Sequence, residues 1–474
     1  MLRVYLDTDI ISKLKKEENE SIWQQLLSSK KHISYCYSEA HLRDKYNDLT
    51  DHKFLDFDRI SELTNDKLIW LNKELKSLWL EKPHNAFQEV ESFESIWNDD
   101  MSFSSLFPKE DLEFLTQKER DKFEQLMNQK INLNLLSIKD STGSELKKGK
   151  KQLKTKNKSL TMKDFIDEGI GFFRSIFTDK DAFKAYRRSV IEESKLGSFN
   201  IESQDFNDDF IKSGKASSFL NYMKKSTENN KNLTEQSFFI SCFLNLNILG
   251  LDEEKMKKSV FENTYNDGLH AFYGAHCDIF VTDDNNLRKK ANAMFNMLNI
   301  GTEVWSLDKL KNQLGGRYFQ RTTSIDDFMT KLHHDIKHSI ILKSAPALDK
   351  LETANIINPI CQYFTFFNRL QVSISENNSE SFDVFFYRKN WNTYKRQLFN
   401  IEAHQLINNI INTLGTDING EGELPLDEIK TLYQETWKGR TWIVNNLILH
   451  LEWHSDLFVT LSLKPEKTHN RVDG

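Results

Sequence analysis

Four carboxylates stand where an apolar run meets an amphipathic stretch. Asp7 closes the run LRVYL, with Asp9 two residues on; Glu39 follows ISYCY and Ser38; Asp267 opens DGLHAFYGAHC; and Asp284 lies two residues beyond Thr282, at the end of DIFVT. In an open α/β sheet, sites form outside the carboxyl ends of the strands. Acids at these junctions are therefore expected to gather at one edge. Like charges that close resist joint ionisation, and a divalent cation relieves the repulsion. Oxygen-only ligands suit one or two Mg²⁺ or Mn²⁺ ions. A metal so held lowers the pKa of a bound water and steadies in-line attack on a phosphodiester. Asp7, Glu39, Asp267 and Asp284 are thus the candidate catalytic and metal-binding residues. Asp9 and Asp283 are further candidate ligands, and Thr8 and Thr282 candidate hydrogen-bond donors to the acids.

Each of these residues also has a plainer reading. Asp7 is then a strand-end turn acid, Glu39 a surface helix acid, and Asp267 a first-turn acid favoured by the helix dipole. Asp283 faces solvent in a turn, Asp278 serves the turn before its strand, and His270 is held by helix packing and is not a base.

The elements that would position the acids follow from apolar spacing. Leu2–Leu6 and Ile33–Tyr37 are short strand-like runs, each followed by helical spacing, with Ser38 a candidate N-cap. Strand alternating with helix implies a parallel sheet flanked by helices. The same alternation resumes near residue 255 with a helix, the strand DIFVT, the turn DDNN, a helix and the strand EVWSL. Between the two α/β pieces the spacing predicts helices, among them LIWLNKELKSLWL and FFRSIFTDKDAFKAYRRSVIEE. The expected organisation is a split α/β core at 1–60 and 251–315, a mostly helical insertion at 61–250, and an α+β domain at 316–474. In that last part, Asp383–Tyr387 and Ile443–Leu463 are predicted strands, the second folding back near His454–Asp456, and a helix is predicted over Ala403–Leu414.

Composition narrows the class. Aromatics make up 12% of 474 residues, which argues against global disorder. A net charge of −6 excludes a generally basic nucleic-acid binder, so basic surface must be local. One such place is 141–163, with Lys147, Lys148, Lys150, Lys151, Lys154, Lys156 and Lys158. It reads as a solvated loop or as a non-specific phosphate contact. The four cysteines form no C-x-x-C pair, a usage that fits a reducing cytoplasm. The charged N-terminus is not a signal peptide, and the most apolar stretch, Phe238–Leu251, reads as a buried helix and not a membrane span. No membrane partner is expected.

RVYLDTDIISKL resembles the opening of PIN-domain ribonucleases, and DGLHAFYGAHCDIFVTDDNNL their closing half, with an Asp at a helix start, the small residues Ala271 and Ala275, and T-x-D at Thr282–Asp284. EVWSLDKL resembles their last strand and helix. The resemblance covers about a quarter of the chain. It implies a PIN-like fold and one or two Mg²⁺ or Mn²⁺ ions held by Asp7, Glu39, Asp267 and Asp284. It also implies cleavage of RNA, with DNA the alternative substrate. A nuclease core beside an unrelated domain suggests a toxin-like or defence role, with activity held back until triggered. Two alternatives stand beside this reading. One is a phosphohydrolase of the haloacid-dehalogenase type, with Asp7 as nucleophile. The other is a catalytically silent scaffold binding RNA or protein.

A second acidic motif, Asp417 to Glu428, resembles an EF-hand calcium loop, with Asp417, Asn419, Glu421 and Glu428 at ligand positions and Gly422 at the sixth. A Gly- and acid-rich surface loop is the plainer alternative. The aromatics of the C-terminal part (Trp391, Tyr394, Trp437, Trp442, Trp453) read as core, and that part as a partner-binding, ligand-binding or regulatory module.

Overall fold

The computed structural model describes residues 2–31, 33–46, 48–71, 76–98, 117–128, 206–212, 217–227, 234–248, 261–314, 322–346, 353–359, 362–374, 382–388, 397–434, 436–454 and 458–465, with a few isolated positions besides. The lysine run at 141–163, and Trp391 and Tyr394, lie outside them, as does most of 172–193. The chain forms two compact units. The first comprises Met1–His41, Asp48–His84 and His270–Gly474; the second comprises Leu42–Asn47 and Asn85–Leu269.

The first unit holds two sheets. In chain order it begins with β1 (Leu2–Leu6), α1 (Thr8–Leu14), α2 (Glu20–Ser29), β2 (Ile33–Ser38), α3 (Glu39–Arg43), α4 (His52–Thr64), β3 (Lys67–Leu71), β4 (Lys76–Leu80) and the start of α5 (Pro83–Asn98). After the second unit come the end of α10 (Phe261–Gly274), β5 (Ile279–Val281), α11 (Asn285–Met297), β6 (Glu303–Trp305) and α12 (Leu307–Leu314). The strands make one sheet in the order β4-β3-β2-β1-β5-β6. All its pairings are parallel except β3 with β4. Every residue of β1 and β2 is buried, as expected of central strands covered on both faces. The register aligns the strand ends that matter. Leu6 pairs with Val281, the Asp7 N–H donates to the Val281 carbonyl at 2.9 Å, and the Thr282 N–H donates to the Trp305 carbonyl at 2.9 Å. Asp7 and Thr282 therefore sit side by side at the carboxyl edge.

The segment LIWLNKELKSLWL, for which apolar spacing predicts a helix, forms β3 and β4, with Leu68 opposite Trp79. Two residues in the left-handed region, Asn65 and Asp66, end α4. They release the chain into Leu68–Ile69, which pairs with the open edge of β2 at Tyr37 and Ser38. β-Branched and aromatic residues gain from that edge what an isolated helix could not offer. Both strands thus belong to the unit of the parallel sheet, beyond the boundary at residue 60 that the sequence suggests.

One tight approach supports this layer. A Cβ on Gly274, at the end of α10, would lie 2.7 Å from the buried Phe280 ring of β5. Gly274→Ala is expected to lower stability by about 1–3 kcal/mol through overpacking, read as a lower urea midpoint; an unchanged midpoint would contradict this packing.

The second sheet is antiparallel, in the order β11-β12-β13-β10-β9-β8-β7. Its strands are β7 (Ile340–Pro346), β8 (Thr353–Asn358), β9 (Arg369–Ile374), β10 (Phe382–Tyr387), β11 (Arg440–Val444), β12 (Leu447–His454) and β13 (Phe458–Pro465). Leu370, Val372, Val384, Phe386, Leu461 and Leu463 of one face pack with Phe328 and Leu332 of α13 (Ile325–His338) and with Leu406, Ile407 and Ile410 of α14 (Gln397–Leu414). Trp437 and Trp442 are buried in this core. The run Ile443–Leu463 spans three strands and not two, because Asn445 and Asn446 both take positive φ and make a two-residue hairpin turn.

In the second unit the described helices are α6 (Gln117–Met127), α7 (Phe206–Lys212), α8 (Phe219–Thr227) and α9 (Glu235–Ile248), with the ends of α3, α5 and α10. The apolar stretch beginning at Phe238 lies largely in α9, which buries Phe239, Cys242, Phe243 and Leu246. Among the described residues, no helix is long and apolar enough to cross a membrane.

Candidate metal centre

Asp7 is the N-cap residue of α1, with extended backbone, and is buried. Burying a carboxylate is costly unless it is hydrogen-bonded or paired. The Thr282 hydroxyl donates to Asp7 Oδ2 at 2.8 Å, while Asp7 Oδ1 lies 3.7 Å from Nε2 of His270. Thr282 Oγ1 in turn accepts the Asp284 N–H at 3.2 Å. The T-x-D motif thus has a physical meaning here: its hydroxyl orients Asp7 from the neighbouring strand.

The remaining acids are placed as follows. Asp284 is exposed and caps α11, its Oδ1 accepting the N–H groups of Asn286 and Leu287 at 2.7 and 3.0 Å. Glu39 begins α3 and accepts a hydrogen bond from the Tyr273 hydroxyl at 3.1 Å. Asp267 is half-buried on α10, one helical turn before His270. Asp9 is exposed in the first turn of α1. Asp283 ties two helices instead: Oδ2 pairs with Lys13 Nζ at 2.7 Å, and Oδ1 accepts the N–H of Leu307 at 2.9 Å. Partial burial raises its pKa, but the bonds from Lys13 and Leu307 outweigh it and hold the carboxyl below the usual carboxylate range.

Within the first unit, two metal-type donors approach each other, Asp7 Oδ1 and His270 Nε2, at 3.7 Å. His270 lies on α10, one helical turn beyond Asp267. Glu39 and Asp284 of the same unit are engaged elsewhere, by the Tyr273 hydroxyl and by the first N–H groups of α11. A carboxylate and an imidazole are chemically sound donors for a divalent cation. His270 is not among the candidate ligands read from sequence. His270 did carry a signal, since Asp267-x-x-His270 puts both side chains on one helix face.

Behind His270 lies a buried polar cluster centred on the Tyr5 hydroxyl of β1. That oxygen is 2.7 Å from Ser38 Oγ, 2.9 Å from His270 Nδ1 and 3.2 Å from His41 Nδ1. His41 is further held by the Ser38 N–H at Nδ1 (3.1 Å) and by the Leu6 carbonyl at Nε2 (2.7 Å). Alternation along β1 turns Tyr5 towards the helix layer that carries both histidines.

Asp278 has a larger role than serving a turn. It is buried at the start of β5, paired with Arg388 at 2.6 Å, and accepts hydrogen bonds from Asn368 Nδ2 and the Arg3 N–H. These contacts join the parallel sheet to the antiparallel one inside the first unit, at the edge away from Asp7.

The EF-hand-like loop is built around an internal cation. Asp417 Oδ1 accepts the N–H groups of Asn419 and Glu421, as a loop-closing acid does. The Arg440 guanidinium, however, bonds both oxygens of Glu428 and the carbonyls of Gly422 and Glu423, with Glu421 Oε2 at 3.6 Å. Oxygens that the calcium reading needs for the ion are thus engaged by arginine, while Trp437 Nε1 also donates to Glu428.

No family model matches this chain, and no curated protein or solved structure is significantly similar to it.

Proposed function

We propose that this protein is a metal-dependent phosphodiesterase, a PIN-like nuclease acting on RNA in preference to DNA. The observation that carries the reading is the meeting of Asp7 and His270, with Thr282, at the carboxyl edge of a parallel sheet, where ligands bind in folds of this kind. A divalent cation held there supplies a water of lowered pKa and offsets charge at phosphorus. The chain's own residues do the rest. Thr282 fixes the Asp7 carboxylate from the neighbouring strand, Tyr5 fixes the His270 ring, and the exposed Asp284 borders the approach beside Thr282. The lysines of 141–163 are the proposed phosphate contacts; each phosphate they neutralise would steepen the salt dependence of binding. The second sheet is proposed as the module that restrains or directs activity.

The test uses the full chain, single-stranded RNA and DNA, and Mn²⁺ or Mg²⁺. Cleavage should require the metal. Asp7→Asn should lower it by at least about 100-fold, the upper scale at which even the outer partners of metal ligands act. Undiminished cleavage by Asp7→Asn would overturn the site. A trapped aspartyl-phosphate on Asp7 would replace the nuclease reading with a phosphohydrolase, and metal-tight RNA binding without turnover would replace it with a scaffold.

A further inference from the structure

We propose that His334 and His338, at the carboxyl end of α13, form a metal site of their own, which takes a late transition-metal ion such as Zn²⁺, Ni²⁺ or Cu²⁺ in preference to Mg²⁺. The site sits on the helix that covers the antiparallel sheet and does not depend on the reading of Asp7.

The two histidines are one helical turn apart in α13, so their side chains rise from one face, one above the other. The rings meet: their centroids lie 4.8 Å apart, with planes tilted by 47°. A metal–imidazole bond of about 2.0–2.1 Å puts a ring centroid roughly 3.2 Å from the ion, so two rings bound at about 90–110° to each other stand about 4.5–5.2 Å apart. The helix thus already holds the pair at chelating distance. Plain ring packing gives a similar separation, and the surroundings of the two rings decide between the readings.

Nδ1 of His334 is buried and has no hydrogen-bond partner among the described residues, although the side chain as a whole is 32% exposed. The outward nitrogen is therefore Nε2. A buried polar atom left unpaired is costly. Nδ1 faces Oδ1 of Asp335 at 3.9 Å, just beyond hydrogen-bond range. Asp335 is fully buried and is fixed by the Tyr363 hydroxyl at 2.8 Å and the Ser339 hydroxyl at 3.3 Å. A carboxylate behind the far ring nitrogen is what metal-bound histidines ordinarily have. A cation on Nε2 makes Nδ1–H a stronger donor and draws it to Asp335. His338 is exposed and is the last residue of α13, where the unpaired carbonyls of the final turn favour a positive charge. Among the described residues no third histidine, cysteine or carboxylate joins the pair in a close group, so water completes the shell. Two imidazoles suit Zn²⁺, Ni²⁺ and Cu²⁺, whereas Mg²⁺ requires oxygen ligands.

The full chain is titrated with Zn²⁺, Ni²⁺ and Mg²⁺ by calorimetry, as wild type and as Asp7→Asn, which tells this site from the sheet edge. Asp7→Asn should still bind one Zn²⁺ or Ni²⁺ ion, at least about tenfold tighter than Mg²⁺. Adding His338→Gln should weaken that binding at least about tenfold; the residue is exposed, so folding is not at stake. Adding His333→Gln instead should leave it unaltered, because that ring projects about 100° further round the helix. In ¹⁵N spectra, saturating Zn²⁺ should shift Nε2 of both His334 and His338. Zn²⁺ binding that is undiminished by His338→Gln, matched by Mg²⁺, absent from Asp7→Asn, or without effect on these two rings overturns the proposal.

Discussion

Replacing Arg388 by Met should lower stability by about 3–5 kcal/mol, because it strands a buried charge. Asp278 and Arg388 are 4% and 3% exposed and meet at 2.6 Å. The guanidinium also lies over the Phe366 ring, 5.0 Å from its centroid. Without it, the donors left to Asp278 among the described residues are Asn368 Nδ2 and the Arg3 N–H, which satisfy lone pairs but supply no positive charge. The pair itself need not contribute much net stability, since desolvating two ions offsets most of their attraction. The asymmetry gives the test its sharpness. Arg388→Met alone should be far worse than the double variant with Asp278→Asn, in which no unpaired charge remains. Urea unfolding of the two variants and wild type measures this; a single-variant loss under about 0.5 kcal/mol, the size of ordinary surface changes, would show that water reaches the carboxylate. Both sheets should loosen together, because the pair joins them.

Gly439→Ala is the second large effect, with an expected loss of at least about 3 kcal/mol, at the upper end of local backbone strain. Gly439 has φ +86°, and a Cβ there would lie 2.1 Å from the Leu451 carbonyl oxygen and 3.0 Å from the Cα of Glu452. Both obstacles are backbone of the paired strand β12, so no side-chain rotation relieves them. Moving residue 439 would also pull Arg440 from Glu428 and from the Gly422 and Glu423 carbonyls. Gly420 is the control. It too has positive φ, +78°, but nothing lies within 4 Å of its added Cβ. Gly420→Ala should therefore cost only the conformational strain, about 1–2 kcal/mol. Thermal unfolding separates the two; equal losses would mean that φ alone matters and the clash with β12 does not.

The two glycines also mark where reading the sequence stops. A Gly- and acid-rich stretch at 417–428 is visible as a cation-binding pattern, and Asp417 does close the loop on backbone N–H groups. That the cation is a guanidinium depends on the β11–β12 hairpin bringing Arg440 beside it, twelve residues beyond Glu428. The sheet strands β1, β2 and β5 were readable as short, mostly apolar runs, since central parallel strands are buried on both faces. β3 and β4 were not, because their apolar spacing fits a helix as well as a strand, and the open edge of β2 decided between them.

The same division holds at the acidic site. The strand-end position of Asp7 and the T-x-D segment at Thr282–Asp284 were written in local sequence, because a residue at the end of a buried strand must emerge at the sheet edge. Which groups then approach Asp7 depended on how helices stack on that sheet. Glu39 turned to the Tyr273 hydroxyl, Asp284 capped its own helix, and His270 came to face Asp7. A helix can turn any of several residues to a sheet, and neighbours from distant segments select the one that fits. Here Tyr5, Ser38 and His41 receive the His270 ring, and they meet only once β1, β2 and α10 are packed. By itself, the sequence determined that the Asp7 carboxylate and the Thr282 hydroxyl emerge at strand ends of a parallel sheet. The tertiary structure decided that an imidazole stands among them, because buried polar groups must find partners, and those partners lie more than 200 residues away along the chain.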